Sequence, residues 1–170
     1  MKKEKKSTES SAGNKRIVLV RVRGDVHLRS NIRDTMKLLR LNKVNHCSLV
    51  ANTPVQGGMI KKAKDYITYG EIDGGTLSDM LRKKGRLIGD KRLSEDYIKE
   101  NTNFSSIDEF AEKFMSFEAE LSDIPDLKPV FRLKPPSKGY DRGGIKQPYT
   151  KGGALGYRSE KINDLLKRMI

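Results

Sequence analysis

The stretch NHCSLVANTPVQGGMIKKAKDYITYGEI, residues 45–72, decides the fold, because it reads as strand, helix and strand in succession. Residues 45–51 form a short apolar run of strand length. Thr53-Pro54-Val55-Gln56 then sets a capping hydroxyl, a proline at the first helical position and a glutamine at the third, so a helix is predicted to start at Pro54. Gly57 and Gly58 inside it each cost roughly 1 kcal/mol of helix propensity, which predicts close approach of another backbone or of a ligand. Residues 67–72 supply a further strand, and Asp73-Gly74-Gly75 a turn.

Upstream, residues 17–22 are a β-branched, apolar run expected to be buried on both faces, with Arg21 and Arg23 emerging near its end. Ser30 is a candidate N-cap for a helix with Ile32, Met36 and Leu39 on one face and Arg33, Lys37 and Arg40 elsewhere. Downstream, Thr76 is expected to cap a helix over 77–84, Ser94 one over 95–100, and Ser106 to open one over 107–121 through the box Ser106-Ile107-Asp108-Glu109. Residues 130–133 read as a short strand ended by Pro135-Pro136. Ser159 could cap a last helix that docks through Ile162, Leu165, Leu166 and Met169. The chain thus divides into a basic flexible arm (1–15), a β-α-β-α-β core (16–73), a helical insertion (74–128) and a strand, extension and final helix (129–170). The fold class is α+β.

The formal net charge is +13, which favours phosphate-rich partners. Residues 1–43 carry 13 basic and 4 acidic side chains, 102–127 carry 1 and 7, and 128–170 carry 11 and 3. The two ends are therefore the polyanion-facing parts, with the acidic segment turned away from phosphate. No apolar run approaches the roughly 20 residues that span a bilayer, and the charged amino terminus lacks a secretory apolar stretch, so no membrane partner is expected. Cys47 is the single cysteine, which gives no disulfide framework and suits a reducing cytosol.

Candidate polyanion-binding residues run from the first strand through the first helix: Arg21, Arg23, His27, Arg29, Ser30, Arg33, Lys37, Arg40 and Lys43. Placed so, they could form one continuous basic surface, with helix amides near Ser30 helping to bind an anion. The second set lies in the Gly-rich segment beyond Pro135, where Lys138, Arg142, Lys146, Lys151 and Arg158 are interleaved with Tyr140, Tyr149 and Tyr157. Poor in core-forming residues, this segment is expected not to bury itself but to become ordered on RNA, with tyrosines stacking on unpaired bases. Tyr140 and Tyr157 join the candidate set. His46 and Cys47 are strand neighbours pointing to opposite faces, so no metal site is expected. No carboxylate has a second acid, nucleophile or His at motif spacing, and neither glycine pair matches a phosphate loop, so neither catalysis, a cofactor nor a small-molecule substrate is expected.

Leu39, Leu41, Lys43 and His46, followed by Met59, Ile60, Ala63, Tyr66 and Ile67, resemble in spacing the motif of the large-subunit ribosomal protein family numbered thirty, whose eukaryotic counterpart is numbered seven. Thr53-Pro54 before Gly58-Met59-Ile60 fits the same pattern, and residues 131–158 resemble the tail of its long form. Ser48 departs from it, where Val or Thr is expected. The short amino-terminal arm is closer to archaeal-type members. The resemblance implies a three-stranded antiparallel sheet in the β-α-β-α-β core and a structural, non-catalytic protein of the cytoplasmic ribosome. Its partners would be large-subunit ribosomal RNA, bound during assembly and translation, and neighbouring ribosomal proteins. On the residues alone, a small anion-binding enzyme of the phosphoryl or acyl class and a free RNA chaperone stay open as alternatives.

Overall fold

The structure, a computed structural model, describes residues 15–170. The expected basic arm lies outside the described residues but for Lys15. The apolar run forms β1 (Arg16–Arg21), buried at every position. It is the central strand: β2 (His46–Ala51) pairs antiparallel on one side with Val18 opposite Leu49, and β3 (Ile67–Glu71) on the other with Leu19 opposite Tyr69. Two further strands of two residues each extend the sheet. β4 (Phe131–Arg132) runs antiparallel to β2, and β5 (Gly156–Tyr157) runs parallel to β3, giving the order β4-β2-β1-β3-β5. The sheet is therefore five-stranded and mixed, with the expected three antiparallel strands as its centre. β4 falls within the strand expected over 130–133, whereas β5 carries no periodicity to read; both cover part of the hydrogen-bonding edges of β2 and β3.

Because side chains alternate along a strand, β1 feeds two cores. Ile17 and Leu19 pack with Ile67 under α1 (Ser30–Leu38) and α2 (Pro54–Ala63), in a cluster with Met36, Leu39, Leu41 and Ile60. Val18 and Val20 pack with Cys47 on the other face, under α3 (Gly74–Lys84), α5 (Ile107–Met115) and α6 (Ile162–Met169). The 74–128 segment, which also holds α4 (Glu95–Asn101), thus shares its core with the sheet.

Three N-caps form at the expected residues: Thr53 Oγ1 accepts the Gln56 N–H, Ser94 Oγ that of Tyr97, and Ser106 Oγ that of Glu109, although the return bond of the Ser106 box is taken by the Ser105 N–H, which donates to Glu109 Oε2. Others differ. Ser30 is the first residue of α1, with Arg29 at the cap and no side-chain cap bond. Helix α3 starts at Gly74, ahead of Thr76, which is buried. Helix α5 ends at Met115 rather than 121, because Phe117 takes a left-handed backbone (φ 66°) and turns the chain back. That reversal builds a slot for Arg16, whose guanidinium lies 4.0 Å from the ring centroids of both Phe114 and Phe117 and bonds Glu120. Ser159 begins a 3-10 turn, and α6 starts after it at Ile162, docking as expected through Ile162, Leu165, Leu166 and Met169. Among the described residues nothing lies where a Cβ on Gly57 or Gly58 would go, so neither glycine serves a close approach between them.

The Gly-rich segment departs most from expectation, since it folds back on itself and docks. Gly143 N–H donates to Gly152 O at 2.9 Å, and Ala154 and Leu155 are buried against Val22. A Cβ on Gly153 would stand 2.2 Å from Gln147 O, so glycine is required for that close approach.

Candidate nucleic-acid interface

Parallel pairing of β5 with β3 carries the extension to the end of the sheet where β1 leads toward α1. The Tyr66 carbonyl accepts both the Val22 and Arg23 N–H groups, at 2.9 and 3.1 Å, which ties the β1 exit to the turn before β3. A groove of about 630 Å³ opens there. Arg23, His27, Arg29, Lys64 and Lys146 line it, with Asp65 the one carboxylate. Its remaining walls include Ile32, Tyr66, Pro148 and Leu155, which offer apolar and aromatic surface between the cations. Arg23 is held in place, donating to Asp65 O at 3.2 Å with its guanidinium 4.9 Å from the Tyr66 ring centroid. His27 sits at a left-handed φ of 56° and is exposed, as is Arg29. The two basic ends of the sequence thus meet in one site: residues 23–29 and Lys146, 117 or more positions apart, share a groove.

The other candidates divide. Ser30, Arg33 and Lys37 are exposed on α1, with Lys37 paired to Asp34 at 3.7 Å. Arg40 and Lys43 follow the far end of that helix, and Arg40 lines a different hollow with His46 and Arg132 rather than the groove. Lys138, Arg142 and Lys151 are exposed on the extension. Tyr157 is 49% exposed, its hydroxyl donating to Glu71 Oε1 at 2.6 Å and its ring 5.5 Å from that of Tyr69.

Three candidates are instead internal struts. Arg21 is 2% exposed, and its guanidinium is spent on the Asp25 carboxylate and the carbonyls of Arg23, Leu41 and Asn42. Hydrogen bonding from Arg21 holds the Asp25 carboxyl below its usual range. Arg158 is 4% exposed and bonds Thr68 Oγ1, Asp141 and Ala154 O, with the Tyr149 ring centroid 4.5 Å away. Tyr140 donates to Asn45 Oδ1 at 3.1 Å, and burial pushes its hydroxyl pKa up. A side chain whose donors are satisfied inside the protein has none to offer a ligand. Lys64 and Tyr66 are the residues the sequence reading left out. Their signal was position alone, in the tight link between a helix and a strand.

Cys47 is buried, with Sγ 3.8 Å from Met80 Sδ, and burial pushes its thiol pKa well up. Among the described residues no three His, Cys, Asp or Glu side chains gather to hold a metal ion, and no helix is long and apolar enough to cross a membrane.

A small mixed sheet sandwiched between helices, with cations from distant parts of the chain lining a groove beside Tyr66, defines a class of basic α+β scaffold. Comparison with known proteins gives the particular family. The family described as ribosomal protein L30p/L7e matches residues 17–67, from β1 through the first residue of β3. Large ribosomal subunit protein uL30 of Methanococcus maripaludis is 57% identical over 152 residues, 89% of this chain and 97% of that protein. Its counterpart from Methanopyrus kandleri is 52% identical over 149 residues, covering 88% and 100% respectively. The chain belongs to the L30p/L7e family of ribosomal proteins, and its role is structural rather than enzymatic.

Proposed function

We propose that this protein is a structural constituent of the large ribosomal subunit, in the cytoplasm, and that its groove grips large-subunit ribosomal RNA. The observation that supports the RNA contact is the convergence of Arg23, His27, Arg29 and Lys64 with Lys146 around Tyr66. Arginine and lysine neutralise phosphates and release their counterions, while the Tyr66 ring and the apolar walls accept a base turned out of its stack. Lys138, Arg142 and Lys151 extend the contact along the outside of the extension, and Tyr157 offers a second ring at β5. The acidic α4–α5 region faces away from the RNA or toward a neighbouring ribosomal protein. Rigid docking of the extension presents Lys146 without an ordering cost at binding.

Filter binding of the full chain to transcribed large-subunit RNA over a salt series tests this reading. Replacing Arg29 and Lys146 together with Ala should flatten the log–log salt dependence by about 1.4–1.8, two phosphate contacts' worth. Salt-independent binding would refute it. A free chaperone would sediment near the top of a sucrose gradient of cell extract, whereas a subunit protein co-migrates with large subunits.

A further inference from the structure

A second cluster of cations lies at the opposite edge of the sheet. Arg132 stands on β4, its side chain outward while Phe131 points into the core. It joins Lys84, Arg86 and Arg92 around a hollow of about 480 Å³, with Asp90 as the fifth lining residue. Every side chain lining that hollow is charged. A neighbouring hollow of about 370 Å³ shares Arg132 and adds Arg40 and Lys128. Six cations therefore line two adjoining hollows against one carboxylate, Asp90, which pairs with Lys128 and Arg132. Lys84 feels the crowding: burial, then the charges of Lys134 and Arg86, draw its pKa down.

We propose that this β4-edge cluster is a second RNA-binding site that takes the phosphate backbone of a different RNA segment, so that the protein clamps two segments across its sheet. The inference rests on the ribosomal RNA reading above. The cluster lies beyond β4 and the groove beside the β1 exit and β5, at least two strand spacings or roughly 10 Å apart, too far for one phosphate group to serve both sites. The first hollow lacks the apolar centre that a protein interface needs, and it lacks the aromatic wall that the groove offers a base. Forked guanidinium donors without a stacking platform suit phosphate oxygens whose bases turn away. The sequence shows residues 82–92 as a basic run of six cations and one carboxylate, but only folding brings it beside positions 40 and 128–132.

The test compares two triple variants of the full chain, Arg86→Gln/Arg92→Gln/Arg132→Gln at the cluster and Arg29→Gln/Lys64→Gln/Lys146→Gln at the groove, on transcribed large-subunit RNA. Urea midpoints equal to that of the parent protein establish that both fold. Each variant should flatten the salt slope by about 2–2.7, so that its affinity deficit shrinks about 20- to 40-fold between 50 and 200 mM salt. Asp90→Asn should act oppositely and tighten binding; asparagine also tolerates the left-handed φ of 61° there. The parent protein should capture a labelled short RNA duplex onto an immobilised one, and either triple variant should fail to. A cluster variant with unchanged slope beside a weakened groove variant overturns the second site and leaves the RNA reading standing. If neither variant changes the slope, the RNA reading itself falls. Normal RNA binding with failed incorporation into reconstituted subunits would assign the cluster to an acidic protein neighbour and overturn the proposal. A parent protein that captures no second duplex would overturn the clamp.

Discussion

Replacing Arg158 with Met tests how the extension is held and, through it, how the groove is made. The guanidinium is almost fully buried and joins the Asp141 carboxylate to Thr68 Oγ1 at 2.9 Å and Ala154 O at 3.2 Å. Met keeps most of the stem and its packing while removing charge and donors. Breaking a buried ion pair by deleting one partner costs about 3–5 kcal/mol. Asp141 remains 32% exposed, so water recovers part of that penalty and about 2–4 kcal/mol is expected. For a chain of this size the melting temperature should fall roughly 4–16 °C. Hydrogen exchange should show the loss concentrated in the extension and β5, since the two cores flanking β1 do not involve Arg158. RNA affinity should drop as well, although Arg158 offers no exposed donor, because Lys146, Pro148 and Leu155 would leave the groove. Adding Asp141→Asn in the Met background should cost little more, and the double-mutant cycle measures the coupling. A stability change under about 0.5 kcal/mol with undiminished amide protection in the extension would show that Arg158 does not hold it.

Other outcomes follow from single contacts. Gly70→Ala should destabilise by about 1–3 kcal/mol in urea unfolding, because the new Cβ would stand 2.1 Å from Ser159 O, a backbone atom at the junction between β5 and α6. An unchanged midpoint would show that the junction yields freely. Burial first, then the charges of Arg132, Lys43 and Arg21, lower the His46 pKa, so the unfolded chain binds a proton there more readily than the native one. This contribution to stability is present above the unfolded value of 6.5 and is lost as pH falls through the folded one. The decline in urea midpoint from pH 7.5 to 5.5 should therefore be smaller in His46→Gln than in the parent. Cys47, buried with its thiol pKa raised, should resist a thiol reagent at pH 8 in the native protein and react fully in denaturant. Rapid native labelling would contradict the packing of β2 against α3.

The order β1-α1-β2-α2-β3 and the caps at Thr53, Ser94 and Ser106 were legible in the chain. All of these depend on neighbours within a few positions or on a run of apolar residues. Tertiary structure decided what depends on distant partners. Arg29 and Arg21 look alike in a charge ledger; only the carbonyls of Leu41 and Asn42 closing on Arg21 make it a strut and leave Arg29 to the groove. Arg158 and Lys146 part company for the same reason, through Thr68 and Asp141. The strand at 130–133 was legible but not its pairing with β2, and β5, two residues long, has no period of its own and exists because β3 presents backbone groups to pair with. Those edge strands position both cation clusters: β5 brings Lys146 beside Tyr66, and β4 sets Arg132 beside Arg86 and Arg92. Local sequence records which residues can be buried or charged, whereas which charges meet is set by long-range pairing that closes only in the folded chain.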